Sequence, residues 1–543
     1  MKRFFLIGVI FLTTYSSIMA VPALRRKVVH EQPDGTTITL QLCGDEHFHY
    51  FVDEKGKYVS KDNEGFYKVI PTKKFKQIQT KRLAAKRAPS RTTTLTRNLA
   101  PRVAVLLVQF ADVKFNAENT KEAYNNMLNG SNYSYEKKIS DGTITFTVKA
   151  EGSAKEYFRH QSNGKYVPQF DVVGPITMNE NLEYYGGDNQ KGDDKNVPLL
   201  VKDACLIAQK DFNVDFGLYD NDNDNKVDIV YVIYAGRSEA DGGSEDCIWP
   251  HAWSVQENLG TYKVGKSKEV ILDGYACSAE LNFLNIRDGI GVLCHEFSHV
   301  LGLPDLYNTK DSENNKTLGS WDIMDAGPYN NYGNTPPNYS AYERWFMGWL
   351  KPTVFKGEKK VSLNDIDSRA AGLIFEEEDH NMDGLNPSPT TFYLVENRQK
   401  KNWDKYLEGH GLMITKVKFD ASIWSNNEVN DNPDDMRVDL MEADQNTNPK
   451  DSKETELFPA GATAFNPFTD YSITNIVEEN GVITFDFKGG KEHLKLDIDD
   501  ILADDPQATI FDVMGNCIDR KDVKMGVVYI LRQNGQVQKF QIK

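Results

Sequence analysis

Residues 290–305, Ile-Gly-Val-Leu-Cys-His-Glu-Phe-Ser-His-Val-Leu-Gly-Leu-Pro-Asp, constrain this chain more than any other stretch. Ile290, Val292, Leu293, Val300 and Leu301 give it the apolar period of a buried helix, and Gly302 with Pro304 stops that helix. His295 and His299 then stand about 40° apart on one helical face, so both imidazoles reach one metal ion. Glu296 projects beside that ion, where a carboxylate takes a proton from a metal-bound water. Catalytic zinc uses three protein ligands and leaves a fourth position open. Gly302 lets the backbone turn out of the helix and bring back Asp305 as the third ligand. Glu343, on a second helix expected over Tyr339–Leu350, is the rival for that place. The bland alternative is a surface helix with two solvated histidines, and the apolar neighbours argue against it.

The chain has 543 residues, enough for about three to four domain-sized units. With 40% apolar and 26% charged residues, wholesale disorder is excluded. A net charge of −16 argues against a nucleic-acid partner, which needs a basic face. That charge is uneven. Residues 21–100 carry +8, while 101–543 carry −26, as befits a removable leading segment that docks on the acidic body of the chain. Lys2 and Arg3, the apolar run Phe4–Leu12 and Ser17–Ala20 read as a secretory signal peptide cut after Ala20, with Ala23 as second choice. No later stretch has the length and apolarity to span a bilayer, so no transmembrane anchor is expected in the mature chain. The six cysteines are scattered and lack CxxC spacing, which leaves a single bridge, Cys247 to Cys277, open.

Composition divides the chain into a signal peptide (1–20), a β-rich pro-segment (21–98), a catalytic domain (99–355), a β-rich module (356–490), and a linker with a small C-terminal β domain (491–543). Residues 71–98 read as an exposed basic linker, offering Lys81-Arg82, Lys86-Arg87, Arg91 and Arg97 for cleavage. Buried strands are expected over Val103–Phe110, Val227–Ala235 and Ile271–Leu281, with a helix over Val197–Lys210, which makes an α/β layer.

HEFSHVLGLPD at 295–305, with Ser320-Trp-Asp-Ile-Met-Asp-Ala-Gly327 downstream, resembles the M6 family of secreted zinc metallopeptidases, the immune inhibitor A type. Tyr157–Tyr166, Phe170–Pro175, Ile248–Trp253, Glu396–Gln399 and Trp403-Asp404 fit the same family, so the resemblance covers roughly 100–480. It implies an α/β zincin, metzincin-like catalytic domain. His295, His299 and Asp305 would be zinc ligands, Glu296 the general base, and Met324 the hydrophobic floor beneath the metal. Several metzincins carry a Tyr two residues after that Met. Here the position is Ala326, and Tyr329 is a loose substitute.

A second metal, calcium, is expected at Asp220-Asn-Asp222-Asn-Asp224-Asn-Lys226-Val-Asp228, with Asn225 in the usual Gly position and the Lys226 carbonyl as a ligand. Tyr231 stands where an EF-hand has Glu, and an acidic turn without a metal is the alternative. Ile510–Gly515, Lys524–Ile530 and Gln536–Lys543 resemble the C-terminal sorting domain of type IX secretion cargo, which implies outer-membrane secretion machinery as a partner and a secreted or cell-surface location.

The leading expectation is therefore a secreted zinc endopeptidase, made as a zymogen, that hydrolyses protein and peptide substrates with zinc-bound water and Glu296. A catalytically inactive surface adhesin on the same fold is the competing one. For latency, Cys43, Asp45 and His47 offer groups able to reach the metal, with a plain β-turn as the alternative.

Overall fold

The computed structural model describes residues 20–46, 48–83, 100–140, 145–189, 193–310, 316–377, 379–444, 454–468, 471–489, 509–519, 528–533 and 536–541. The signal peptide up to Met19, His47, the linker over 84–99 and the acidic stretch 491–505 lie outside these residues. Contacts divide the chain into two compact units, one of residues 1–354 with 363–462, the other of 355–362 with 463–543. One division falls between 354 and 355, next to the boundary expected at 355, while residues 363–462 of the expected β-rich module group with the unit that holds the HEFSH helix.

At the centre of the first unit is a five-stranded mixed sheet. Its order is His251–Ser254, Gly274–Leu281, Val230–Arg237, Arg102–Gln109, Gln169–Thr177. The last four run parallel, and His251–Ser254 lies antiparallel at the edge. Arg102–Gln109 is apolar throughout because both its faces are covered. Val103, Val105 and Leu107 join the core that contains the helix Gly291–Val300, while Ala104, Leu106 and Val108 pack with the helix Val197–Asp211. This alternation puts the two helices on opposite faces of the sheet.

Four expectations change in the structure. Ile271–Leu281 is two strands, Val270–Leu272 and Gly274–Leu281, parted at Asp273, whose carbonyl accepts from Val255 N and whose carboxylate takes Lys226 Nζ at 2.6 Å. The helix expected over 339–350 is confined to Ala341–Phe346, because Ser340 caps its start and Gly348 adopts φ +70° just past its end. Residues 71–83 are no linker but a helix, Thr72–Leu83, anchored by Phe75 stacked 3.6 Å from Tyr58. Cys247 and Cys277 are both thiols, so the bridge left open between them is not formed.

Before that helix, residues 27–69 form a five-stranded antiparallel meander in chain order. A second sheet of the first unit includes Gly372–Ile374, Thr391–Arg398, Gly411–Lys418 and Val438–Leu440. The other unit holds a three-stranded sheet and a four-stranded sheet, the latter from Thr509–Asp512, Cys517–Ile518, Val528–Gln533 and Gln536–Gln541. Among the described residues, no helix is long and apolar enough to cross a membrane.

Candidate active site

The helix Gly291–Val300 presents His295 and His299 from one face, as their spacing requires, and Gly302 turns the chain at φ +104°. Asp305 then returns to both histidines. Its Oδ1 lies 3.2 Å from His295 Nε2 and 3.3 Å from His299 Nε2, and the two Nε2 atoms are 3.1 Å apart. For tetrahedral ligand distances of about 2.0 Å the edges come to about 3.3 Å, so these three atoms have the spacing of a metal's ligands.

Hydrogen bonding fixes which atoms face inward. His295 Nδ1 donates to Ile323 O at 2.7 Å and His299 Nδ1 donates to Leu303 O at 2.9 Å. Both Nε2 atoms therefore offer lone pairs when the rings are neutral. Burial, its largest cause, lowers the His299 pKa and favours that neutral ring. Asn427 Nδ2 donates to Asp305 Oδ2 at 2.6 Å, while Asp305 N donates back to Asn427 Oδ1 at 2.7 Å. Asp305 Oδ1 has no hydrogen-bond partner. Three buried lone pairs that converge without a donor repel one another unless a cation sits between them, and two imidazoles with one carboxylate suit zinc.

Glu296 is fully buried on the same helix. Burial, then the charge of Asp305, raise its pKa well above the ordinary range, and a hydrogen bond from Val21 N at 3.0 Å offsets part of that. Its other oxygen, Oε2, has no hydrogen-bond partner. Met324 is buried beside Ile323, the residue whose carbonyl orients His295. Glu343, the rival ligand, is used otherwise: its Oε2 accepts from Ser340 N at 2.6 Å in a capping box.

Residues 20–22, which straddle the expected end of the signal peptide, contact the groups around Glu296. Tyr307 Oη donates to Ala20 O at 2.6 Å, Trp249 Nε1 to Val21 O at 3.0 Å, and Tyr329 Oη to Pro22 O at 2.7 Å. Leu24 N donates to Ala240 O at 2.7 Å. Three side-chain donors thus take three successive backbone carbonyls. The sequence points to Tyr329 through its distance from Met324. It gives no such pointer to Trp249 and Tyr307, although Trp249 stands in one of the stretches that carry the family resemblance and Tyr307 just past another. Of the residues expected to block the metal, Cys43 packs in a core with Phe48, Tyr50, Val52 and Phe75, and Asp45 Oδ1 accepts from Phe48 N at 3.1 Å. His47 lies outside the described residues.

In the 220–228 loop, oxygens of Asp220, Asp222 and Asp228 lie within 4.8 Å of one another. Asn225 takes the left-handed conformation expected in place of Gly, at φ +71°. Asp224 Oδ1 instead accepts from Lys226 N at 2.7 Å, and Lys226 Nζ reaches Asp273.

Residues 90–351 match the family model described as Immune inhibitor A peptidase M6, catalytic domain. The chain is 28% identical over 272 residues to Immune inhibitor A of Bacillus thuringiensis subsp. alesti, covering 45% of this chain and 39% of that protein. It is 25% identical over 285 residues to Pre-pro-metalloprotease PrtV of Vibrio cholerae serotype O1, strain M66-2, covering 45% of this chain and 30% of that one. The chain therefore matches well under half the length of these relatives. Within it, residues 90–351 are a peptidase M6 domain.

Proposed function

We propose that this chain is the precursor of a secreted zinc-dependent endopeptidase, with His295, His299 and Asp305 holding the metal and Glu296 as general base. The observation that carries the reading is the convergence of three buried, donor-less lone pairs beside a buried glutamate. When bound, zinc supplies Lewis acidity toward a scissile carbonyl and makes a coordinated water easier to deprotonate. The rest of the work falls to the chain. Glu296, its pKa raised by burial, takes the proton of the attacking water and returns it to the leaving amine. Trp249 Nε1, Tyr307 Oη and Tyr329 Oη, which grip backbone carbonyls in the cleft, hold a substrate by its main chain.

Latency follows from the same contacts. Residues 21–24 sit against the site and Val21 N engages the base, so the precursor is inactive until 21–98 departs. This reading uses main chain rather than the side chains of Cys43, Asp45 or His47. Calcium at Asp220, Asp222 and Asp228 is retained as a structural ion, supported by Asp220 Oδ1, which is buried without a hydrogen-bond partner. The Lys226 carbonyl and Asp224 stay as further oxygens of that loop. For 508–543 we keep the sorting-domain reading, supported by its antiparallel sheet; export of a reporter fused to 491–543 tests it.

The central test is casein cleavage by purified chain, before and after limited trypsin digestion, with and without a zinc chelator. Chelator-sensitive cleavage that appears only after digestion is expected. A processed, zinc-loaded chain that cleaves nothing overturns the reading in favour of an inactive binding protein.

A further inference from the structure

Behind Trp249 lies a cavity of about 290 Å³, separate from the metal-ligand triad. Two of its acidic walls are nearly closed to solvent, Asp194 with a side chain 9% exposed and Glu239 with one 6% exposed. Asp194 Oδ2 accepts from Trp249 N at 3.0 Å, while Asp194 Oδ1 has no hydrogen-bond partner. Burial raises the pKa of both carboxyls, and neighbouring carboxylates raise them further. Buried carboxylates facing a cavity call for a cation.

One group from the pro-segment already sits there. The His49 imidazole places Nε2 3.2 Å from Glu239 Oε1 and 3.8 Å from Asp188 Oδ2, and its ring stacks on the Trp249 indole at 5.1 Å and 20°. The occupant is thus a flat nitrogen ring laid on an aromatic face with its edge toward carboxylates. His49 leaves with residues 21–98, and so does Glu46, another wall of the cavity. Val197 and Leu199 remain as apolar walls. A bare metal ion fits this space poorly. The space far exceeds the roughly 10–15 Å³ that one water-sized occupant needs, and the cluster tight enough for an ion includes His49 but not Asp194.

The cavity also communicates with the chemistry. The same indole that backs it donates Nε1–H to Val21 O, and Val21 N donates to Glu296 Oε1. A substrate held along that path carries its side chains within reach of the space.

We propose that, once the pro-segment has left, this cavity is a specificity pocket for an arginine side chain of the substrate, with Glu239 and Asp194 receiving the guanidinium and Trp249 its flat face. Arginine fits better than lysine because its planar head stacks on an indole and forks toward carboxylates, while its aliphatic stem suits the Val197 and Leu199 walls. His49 is then an internal stand-in for that side chain. The proposal rests on the peptidase reading, and it gives the linker residues Arg87, Arg91 and Arg97, with Arg82 near the end of the helix Thr72–Leu83, a role as sites cut by a second copy of the chain.

The test uses full-length, zinc-loaded chain nicked by trypsin, the trypsin then blocked covalently, on a peptide library. Arginine should be enriched at one position. The kcat/KM ratio of an arginine peptide over its norleucine counterpart should exceed about tenfold and fall toward one in Glu239→Gln. Asp194→Asn gives a second reading of the same ratio, and the wild-type library needs no variant to fold. Cleavage with no basic preference, or a ratio unmoved by both variants, overturns this proposal alone. Failure to cleave any peptide overturns the peptidase reading, and this one with it.

Discussion

Two clusters of candidate metal-ligand residues in this chain look alike on paper and are built differently. In the 295–305 site each ligand has its far side tied down: His295 to Ile323 O, His299 to Leu303 O, Asp305 Oδ2 to Asn427. The near sides are left bare and buried. In the 220–228 loop the carboxylates are largely spent on the loop itself. Asp222 Oδ1 accepts from Asp224 N, Asp228 Oδ2 accepts from Asn221 N and Nδ2, and Lys268 pairs with Asp220. With both rings neutral, the first arrangement brings together lone pairs that a metal ion, or a proton on one ring, would relieve, whereas the second is substantially satisfied without an ion. Preorganisation of the outer partners, more than the count of acidic residues, would separate a site that needs a metal from one that tolerates it.

That contrast can be broken or sharpened in steps. The largest effect is expected from His295→Ala or Asp305→Ala, which should reduce bound zinc and peptide cleavage to background, while Glu343→Ala leaves the zinc content intact; metal analysis after gel filtration decides. Should Glu343→Ala strip the zinc and Asp305→Ala spare it, the ligand set is wrong. Next comes Glu296→Gln. Loss of the base should slow the processed enzyme by about 10²–10⁴-fold with zinc still bound, and near wild-type turnover would remove Glu296 from the mechanism. Asn427→Ala should weaken zinc affinity by about 10–100-fold, because Asp305 loses its orienting partner; competition against a fluorescent chelator measures it. The smallest effect concerns calcium. Millimolar calcium should raise Tm by a few degrees, and Asp220→Asn should erase that increment. A melting curve indifferent to calcium assigns the loop to its own hydrogen bonds.

How much of this is legible in the sequence depends on the range of the interactions. The HEFSH helix, its glycine exit and Asp305 are local, so period and spacing reveal them. The strand Arg102–Gln109 announces itself by an unbroken apolar run, and the helix Val197–Asp211 by its period. Helix Thr72–Leu83 escapes such a reading because its composition is polar and basic; one aromatic, Phe75, ties it to Tyr58, Tyr50 and Phe48. Asn427 cannot be found from the sequence at all, since 122 residues separate it from Asp305. Val21 on Glu296 spans 275. Contacts of that length leave no periodic trace, and chemistry assembled through them emerges only in three dimensions.

Asn427 also bears on how this protein can be cut into pieces. A gene fragment ending at residue 351, where the family match stops, encodes both histidines, Glu296 and Asp305. It omits Asn427, and with it Arg398, which donates to Trp321 O at 3.2 Å and pairs with Asp404 at 2.6 Å, and Glu456, which takes the Trp321 indole at 2.6 Å. The segment that orients His295 through Ile323 O is thus pinned from downstream on both sides of Trp321. A recombinant fragment stopping at 351 would keep the candidate ligands but lose the partner of Asp305 and the anchors of the Trp321 segment, and the shortest piece worth expressing runs to about residue 462.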